Sequence, residues 1–156
     1  MSSLPIRRRI LGVDFGRARI GVAVSDELGM LAHPVETIPA SREAANRIAE
    51  IVREKNAERV VIGLPRHMNG TAGESAAEAL AFAEKLRPLL SCDVVTWDER
   101  LTTVAANRAL RDGGQKTRNS RDFVDQVAAQ MILQGYLDRM QSARDREMEC
   151  DVPPAD

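Results

Sequence analysis

The chain has 156 residues, 44% of them hydrophobic, which suits a single domain with its own core and disfavours two. Aromatic residues make up 3%, and 22 basic side chains against 23 acidic ones leave a formal net charge of −1. The chain therefore lacks material for base-stacking platforms and an overall positive field, and any nucleic-acid affinity has to come from local patches.

The first residues carry Arg7, Arg8 and Arg9 where a secretory signal needs an apolar stretch, and every apolar run is strand-sized. Cys92 and Cys150 lie far apart, without a second Cys or His at zinc spacing. These features predict a cytoplasmic protein with free thiols and no membrane contact. Residues 1–9 read as a flexible segment.

Ile10 to Phe15 and Ile20 to Ser25 are β-rich runs joined by a link of hairpin length, so they should pair antiparallel. Val35 to Ile38 adds a third strand before Pro39 breaks the run. Ser41 is placed to cap a helix on which Ala44, Ala45, Ile48, Ile51 and Val52 form one apolar stripe. Arg59 to Leu64 is a continuous apolar strand, the pattern of a sheet centre covered on both faces.

The loop from Pro65 to Thr71 follows, with Asn69-Gly70 as its turn signal, and then an alanine-rich helix from about Gly73 to Leu86, ended by Pro88. Val94 to Trp97 is the fifth strand. Thr102 or Thr103 can cap a helix to Asp112, which Gly113-Gly114 stops. The last helix starts near Ser120, with Val124, Val127, Ala128, Met131, Ile132 and Gly135 on one face, and its pattern fades after about Met140. Residues 10–140 form the predicted domain and 141–156 a loose polar tail.

An antiparallel meander followed by two right-handed crossovers makes a mixed five-stranded sheet flanked by helices. Ribonuclease H-like α/β domains have this plan.

Three acids fall where the pattern wants apolar residues. Asp14 sits inside Val13-Asp14-Phe15 on a strand expected to be central, where an ionised carboxylate needs a positive neighbour. An ion pair with Arg17 or Arg19 would satisfy it as well as a metal would. Asp98-Glu99 ends the fifth strand, where α/β folds place their ligands, and alternation puts only one of the two on a given face. Asp125 flanks the sheet-facing stripe of the last helix, although the helix dipole alone favours an acid in a first turn.

Carboxylates converging from three chain segments suit hard divalent cations, Mg2+ or Mn2+, and through them phosphoryl transfer without a protein nucleophile. The two histidines, His33 and His67, have no partner pattern.

Val13 to Asp26, Val60 to Gly70, Asp98 to Thr103 and Val124 to Leu137 together resemble the YqgF/RuvX family. Its bacterial members are assigned as pre-16S rRNA nucleases or as Holliday junction resolvase-like proteins. The resemblance implies a ribonuclease H-like fold, metal held by Asp14, Glu99 and Asp125, and maturation of the 5′ end of small-subunit rRNA precursors. Members commonly carry an acid shortly after the threonines of the third motif, where this chain has Ala105.

Cations stand beside each proposed ligand: Arg17 and Arg19, Arg100, and Lys116, Arg118 and Arg121. They are the candidates for contacts to a nucleic-acid backbone. Gly16, Gly63, Asn69, Gly70, Thr102 and Thr103 are candidates for shaping the site. Precursor rRNA is the expected substrate. Branched DNA, cut by a resolvase, is the alternative. A third reading is a nucleotide-binding module related to actin-like ATPases, which share the core but use two such domains. A monomer or weak homodimer is expected.

Overall fold

The computed structural model describes residues 9–65, 73–99 and 118–150, of which 118–125, 144 and 146–150 are described by their backbone. Strands β1 (Arg9–Phe15), β2 (Arg19–Ser25) and β3 (Ala32–Pro39) form the expected meander, with β3 longer than Val35 to Ile38. A Cβ at Gly16 would come within 2.5 Å of the Arg19 carbonyl oxygen, so the first turn requires glycine.

Helix α1 (Ala44–Lys55) buries its predicted stripe and ends on Asn56, which takes the left-handed conformation (φ 54°). Ser41 does not cap it. Glu43 occupies the cap position without a side-chain bond, and Ser41 Oγ instead accepts a hydrogen bond from the Glu43 N–H in the preceding turn. Strand β4 (Ala57–Leu64) follows. Helix α2 (Glu74–Leu86) passes into a 3-10 turn at Arg87–Leu89 that contains Pro88, and β5 (Asp93–Asp98) comes next.

The sheet order is β3-β2-β1-β4-β5, with β1 antiparallel to β2, β2 antiparallel to β3, and β4 parallel to both β1 and β5. This is the ribonuclease H-like mixed sheet. Its centre is β1 rather than β4, which puts Asp14 on the innermost strand. The helix expected over Thr102 to Asp112 lies outside the described residues.

The last helix, α3, runs from Arg118 to Cys150, well past the fade expected at Met140. The continuation is polar and exposed where its side chains are described, so apolar periodicity could not reveal it. Gln141 Nε2 donates to Asp145 Oδ1 at 3.1 Å, an i,i+4 pair of the kind that supports a solvated helix.

Strand alternation splits the core in two. Leu11, Val13, Ile20, Val22, Val60 and Ile62 pack under α1 and α2, whereas Ile10, Ala23 and Val61 pack under α3 with Ala128, Ala129, Ile132, Leu133 and Tyr136. Among the described residues no helix is long and apolar enough to cross a membrane.

Helix α3 is also tied to the edge strand by glutamines one turn apart. Gln134 Oε1 accepts from the Ala32 N–H (2.9 Å), Gln134 Nε2 donates to the Met30 carbonyl (2.8 Å), and Gln130 Nε2 donates to the Ala32 carbonyl (2.9 Å). These amides occupy backbone groups that an edge strand would otherwise leave open. Gln134→Ala is expected to cost about 1–2 kcal/mol, read as a lower thermal midpoint, because it strands two backbone groups. An unchanged midpoint would show that water replaces the amide without loss.

Candidate active site

Asp14 lies on the α3 side of the sheet. Leu11 and Val13 belong to the opposite core, so Ile10, Gly12 and Asp14 share the α3 face. The same alternation separates the two acids at the end of β5. Asp98 follows Val94 and Thr96 in register, and Glu99 follows Val95 and Trp97, which pack under α3. Glu99 is therefore the acid of the α3 face, which the sequence pattern alone left open.

Both side chains are buried, Asp14 at 6% exposure and Glu99 at 3%; among the described residues no other charged side chain is. Val13 pairs with Ile62 and Gly63 with Trp97, so continuing the first register sets Asp14 beside Gly63. The Glu99 carboxylate reaches back over that glycine. A Cβ at Gly63 would overlap Ile132 Cδ1 and lie 2.9 Å from Glu99 Oε1. Two strand spacings, about 10 Å, separate the β1 and β5 backbones, and Glu99 crosses one of them with its side chain. On the other side Asp14 pairs with Gly21. Glycine thus flanks Asp14 on both neighbouring strands and leaves the row open above it.

Helix α3 closes over this row. Arg59 Nη1 donates to Tyr136 Oη (2.6 Å) at the start of β4, and Ile132 stands over Gly63 further along, so α3 runs antiparallel to β4. Gln126 Nε2 donates to Thr37 Oγ1 (3.2 Å), and Thr37 pairs with Gly21, the partner of Asp14. Position 125 is the neighbour of Gln126 on the helix backbone. The glutamines and the glycines at 12 and 21 went unnoticed in the sequence; the four-residue spacing of Gln126, Gln130 and Gln134 was their visible signal.

The two arginines of the first turn part company. Arg19, first residue of β2, alternates onto the face of Gly21 and Ala23, the Asp14 side. Arg17, expected beside the acids, is instead held at α2: its Nε donates to Glu78 (3.1 Å) and its Nη2 to Glu74 (3.3 Å), which together raise its pKa. It lines a cleft with Phe15, Ile20 and Phe82 under the opposite helices. Arg17→Ala is expected to change cleavage by no more than about twofold, since its charge is spent on exposed pairs. A tenfold rise in KM for nucleic acid would return Arg17 to the binding surface.

His33 is exposed on β3. Asn69, Gly70, Arg100, Thr102, Thr103 and Lys116, together with His67, lie outside the described residues. So do the side chains of Arg118, Arg121, Asp125 and Cys150. Among the described residues no three His, Cys, Asp or Glu side chains form a metal cluster.

A mixed five-stranded sheet that buries an acid on its central strand and a second acid at the end of β5 is of the ribonuclease H-like α/β class. More narrowly, the family model described as RuvX, Holliday junction resolvase, matches residues 8–139, and the chain belongs to that family.

A relative from Nocardia farcinica, named "Putative pre-16S rRNA nuclease", is 50% identical over 143 residues, covering 86% of this chain and 79% of its own. One of the same name from Bacillus cereus strain B4264 is 46% identical over 135 residues, covering 84% and 98%. Among solved structures, T. thermophilus RuvC in complex with a Holliday junction substrate superposes with a TM-score of 0.54 at 15% identity. It covers 86% of this chain and 97% of that one, a likeness of fold.

Proposed function

We propose that this protein hydrolyses phosphodiester bonds in the 5′ region of precursor 16S rRNA, with Asp14, Glu99 and Asp125 holding Mg2+ or Mn2+. The observation that carries the reading is the convergence of Asp14 and Glu99, buried on one face with only glycine between them. Carboxylates buried side by side repel, and a shared cation relieves that repulsion. Oxygen donors at the carboxyl ends of strands, beside the bare backbone of Gly21 and Gly63, fit a hard divalent ion.

A bound ion of this kind supplies Lewis-acid polarisation of the phosphate and a water of lowered pKa. The chain's own residues do the rest. Asp14, anchored in the central strand, fixes one side of the site. Glu99 approaches across β4, and α3 brings position 125 over the row while excluding bulk water. Arg19, with Arg100, Lys116, Arg118 and Arg121, supplies the backbone contacts that a net charge of −1 cannot give globally. Asn69, Gly70, Thr102 and Thr103 border the entrance in this reading. The protein acts in the cytoplasm, as a monomer or weak homodimer.

Support for RNA comes from the names of relatives at 46–50% identity, and for branched DNA from the family's own description. The test is cleavage of end-labelled precursor RNA and of four-way DNA junctions, each with Mg2+, Mn2+ or a chelator. Metal-dependent cuts in the RNA at its 5′ region are expected. Symmetric cuts in the junction with intact RNA would move the assignment to the resolvase reading, and cleavage insensitive to chelator would remove the metal from it.

A further inference from the structure

Among the glycines at 12, 16, 29 and 63, Gly63 is the one at which a built Cβ would meet both a proposed site acid and the covering helix. Its absent side chain leaves a space that Ile132 of α3 fills from one side and the Glu99 carboxylate from the other; a Cβ there would overlap Ile132 Cδ1 and stand 2.9 Å from Glu99 Oε1. Gly12, by contrast, meets only α3, with Leu133 Cβ at 2.6 Å and the Ala129 carbonyl oxygen at 3.1 Å from a built Cβ. Both glycines let the helix approach, but only Gly63 touches an acid. Strand β4 is paired with β5 at Gly63 and with β1 up to Ile62, so its backbone has little room to retreat from an added atom.

We propose that Gly63 is a positioning residue for the nuclease reaction: the bare backbone at this point sets where the Glu99 carboxylate stands relative to Asp14, and so sets metal affinity and turnover. This rests on the functional reading above. The prediction is a defect in kcat and in metal affinity, with little change in KM for the nucleic acid. A methyl group displaces Glu99 by a fraction of an ångström to an ångström, and misplacement on that scale costs about 10- to 100-fold in rate.

The helix contact has to be separated from the acid contact. Ile132→Ala removes both Ile132 atoms that a methyl group at position 63 would meet, so in that background Gly63→Ala acts through Glu99. The proteins to compare are wild type, Ile132→Ala and Gly63→Ala/Ile132→Ala. Glu99→Gln in the wild-type background serves as the test of the underlying reading. The readouts are thermal midpoint, Mn2+ affinity from the fluorescence of Trp97 (the only tryptophan, paired with Gly63), and kcat and KM on precursor RNA.

Expected is a loss of about tenfold or more in kcat and in Mn2+ affinity on adding Gly63→Ala to Ile132→Ala, at matched thermal midpoints and with KM for the RNA unchanged. Equal kcat and Mn2+ affinity in Ile132→Ala with and without Gly63→Ala would overturn the proposal while leaving the reading intact, provided Glu99→Gln is inactive. Loss that merely tracks the thermal midpoint, or a rise in KM in place of the loss in Mn2+ affinity, would reduce Gly63 to a packing role. Full activity in Glu99→Gln would overturn the functional reading and this proposal with it.

Discussion

Asp14→Asn is expected to slow metal-dependent RNA cleavage by about three orders of magnitude while the protein stays folded. Asparagine keeps the size and planarity of the side chain, so the packing of β1 between β2 and β4 is retained. What disappears is the negative charge on the innermost strand. Asp14 is only 6% exposed, so its charge acts through a medium in which electrostatic terms are strong and solvent cannot substitute for it. The loss should fall on kcat under single-turnover conditions, because Asp14 is proposed to act on the metal and not on the nucleic-acid backbone. Cleavage within tenfold of wild type at an unchanged thermal midpoint would mean that Asp14 is a structural acid.

Gly12→Val is expected to be the most destabilising single change on the α3 face. A built Cβ at Gly12 lies 2.6 Å from Leu133 Cβ and 3.1 Å from the Ala129 carbonyl oxygen, and the second of these is helix backbone that cannot rotate aside. Valine adds two further methyl groups. Either α3 lifts from the sheet, uncovering Ala128, Ala129, Ile132 and Leu133, or β1 distorts at its centre. Overpacking of this kind costs about 3 kcal/mol, which for a domain this size lowers the thermal midpoint by roughly 10 °C. The functional corollary is weaker cleavage even where the protein remains folded, since the lifted helix carries position 125. A midpoint within about 2 °C of wild type would show that the helix has slack the packing does not suggest.

Much of the fold is written in local pattern. The alternation of Ile10 to Phe15 and Ile20 to Ser25, the stripe of α1 and the continuous apolar run of β4 each specify their element through burial, which is what periodicity reports. Where burial stops, the signal stops. Residues 141–150 are helical because charged and polar side chains such as Gln, Arg and Glu favour helix without an apolar face, so hydrophobic fading at Met140 marked the end of packing and not the end of the helix.

The site was legible in part. Asp14 stood out as an acid within an apolar strand, and Ala128 and Ile132 marked the sheet-facing side of the last helix. The choice between Asp98 and Glu99 needed the phase of β5 against the sheet. The roles of Gly12, Gly21 and Gly63 needed the strand register, which places residues far apart in sequence beside one another. Arg17 was misplaced because its partners, Glu74 and Glu78, lie one turn apart on a distant helix, and no local pattern announces that meeting.

The claim on which the account rests is that buried carboxylates from β1 and from the end of β5 share one cation under α3. Crystals grown with Mn2+, measured at a wavelength where manganese scatters anomalously, test it directly. The account predicts an anomalous peak touching both Asp14 and Glu99, absent in Asp14→Asn crystals treated identically. Manganese bound only at the exposed acids of α1 or α2, with the space above Gly63 dry or filled by an arginine, would contradict it.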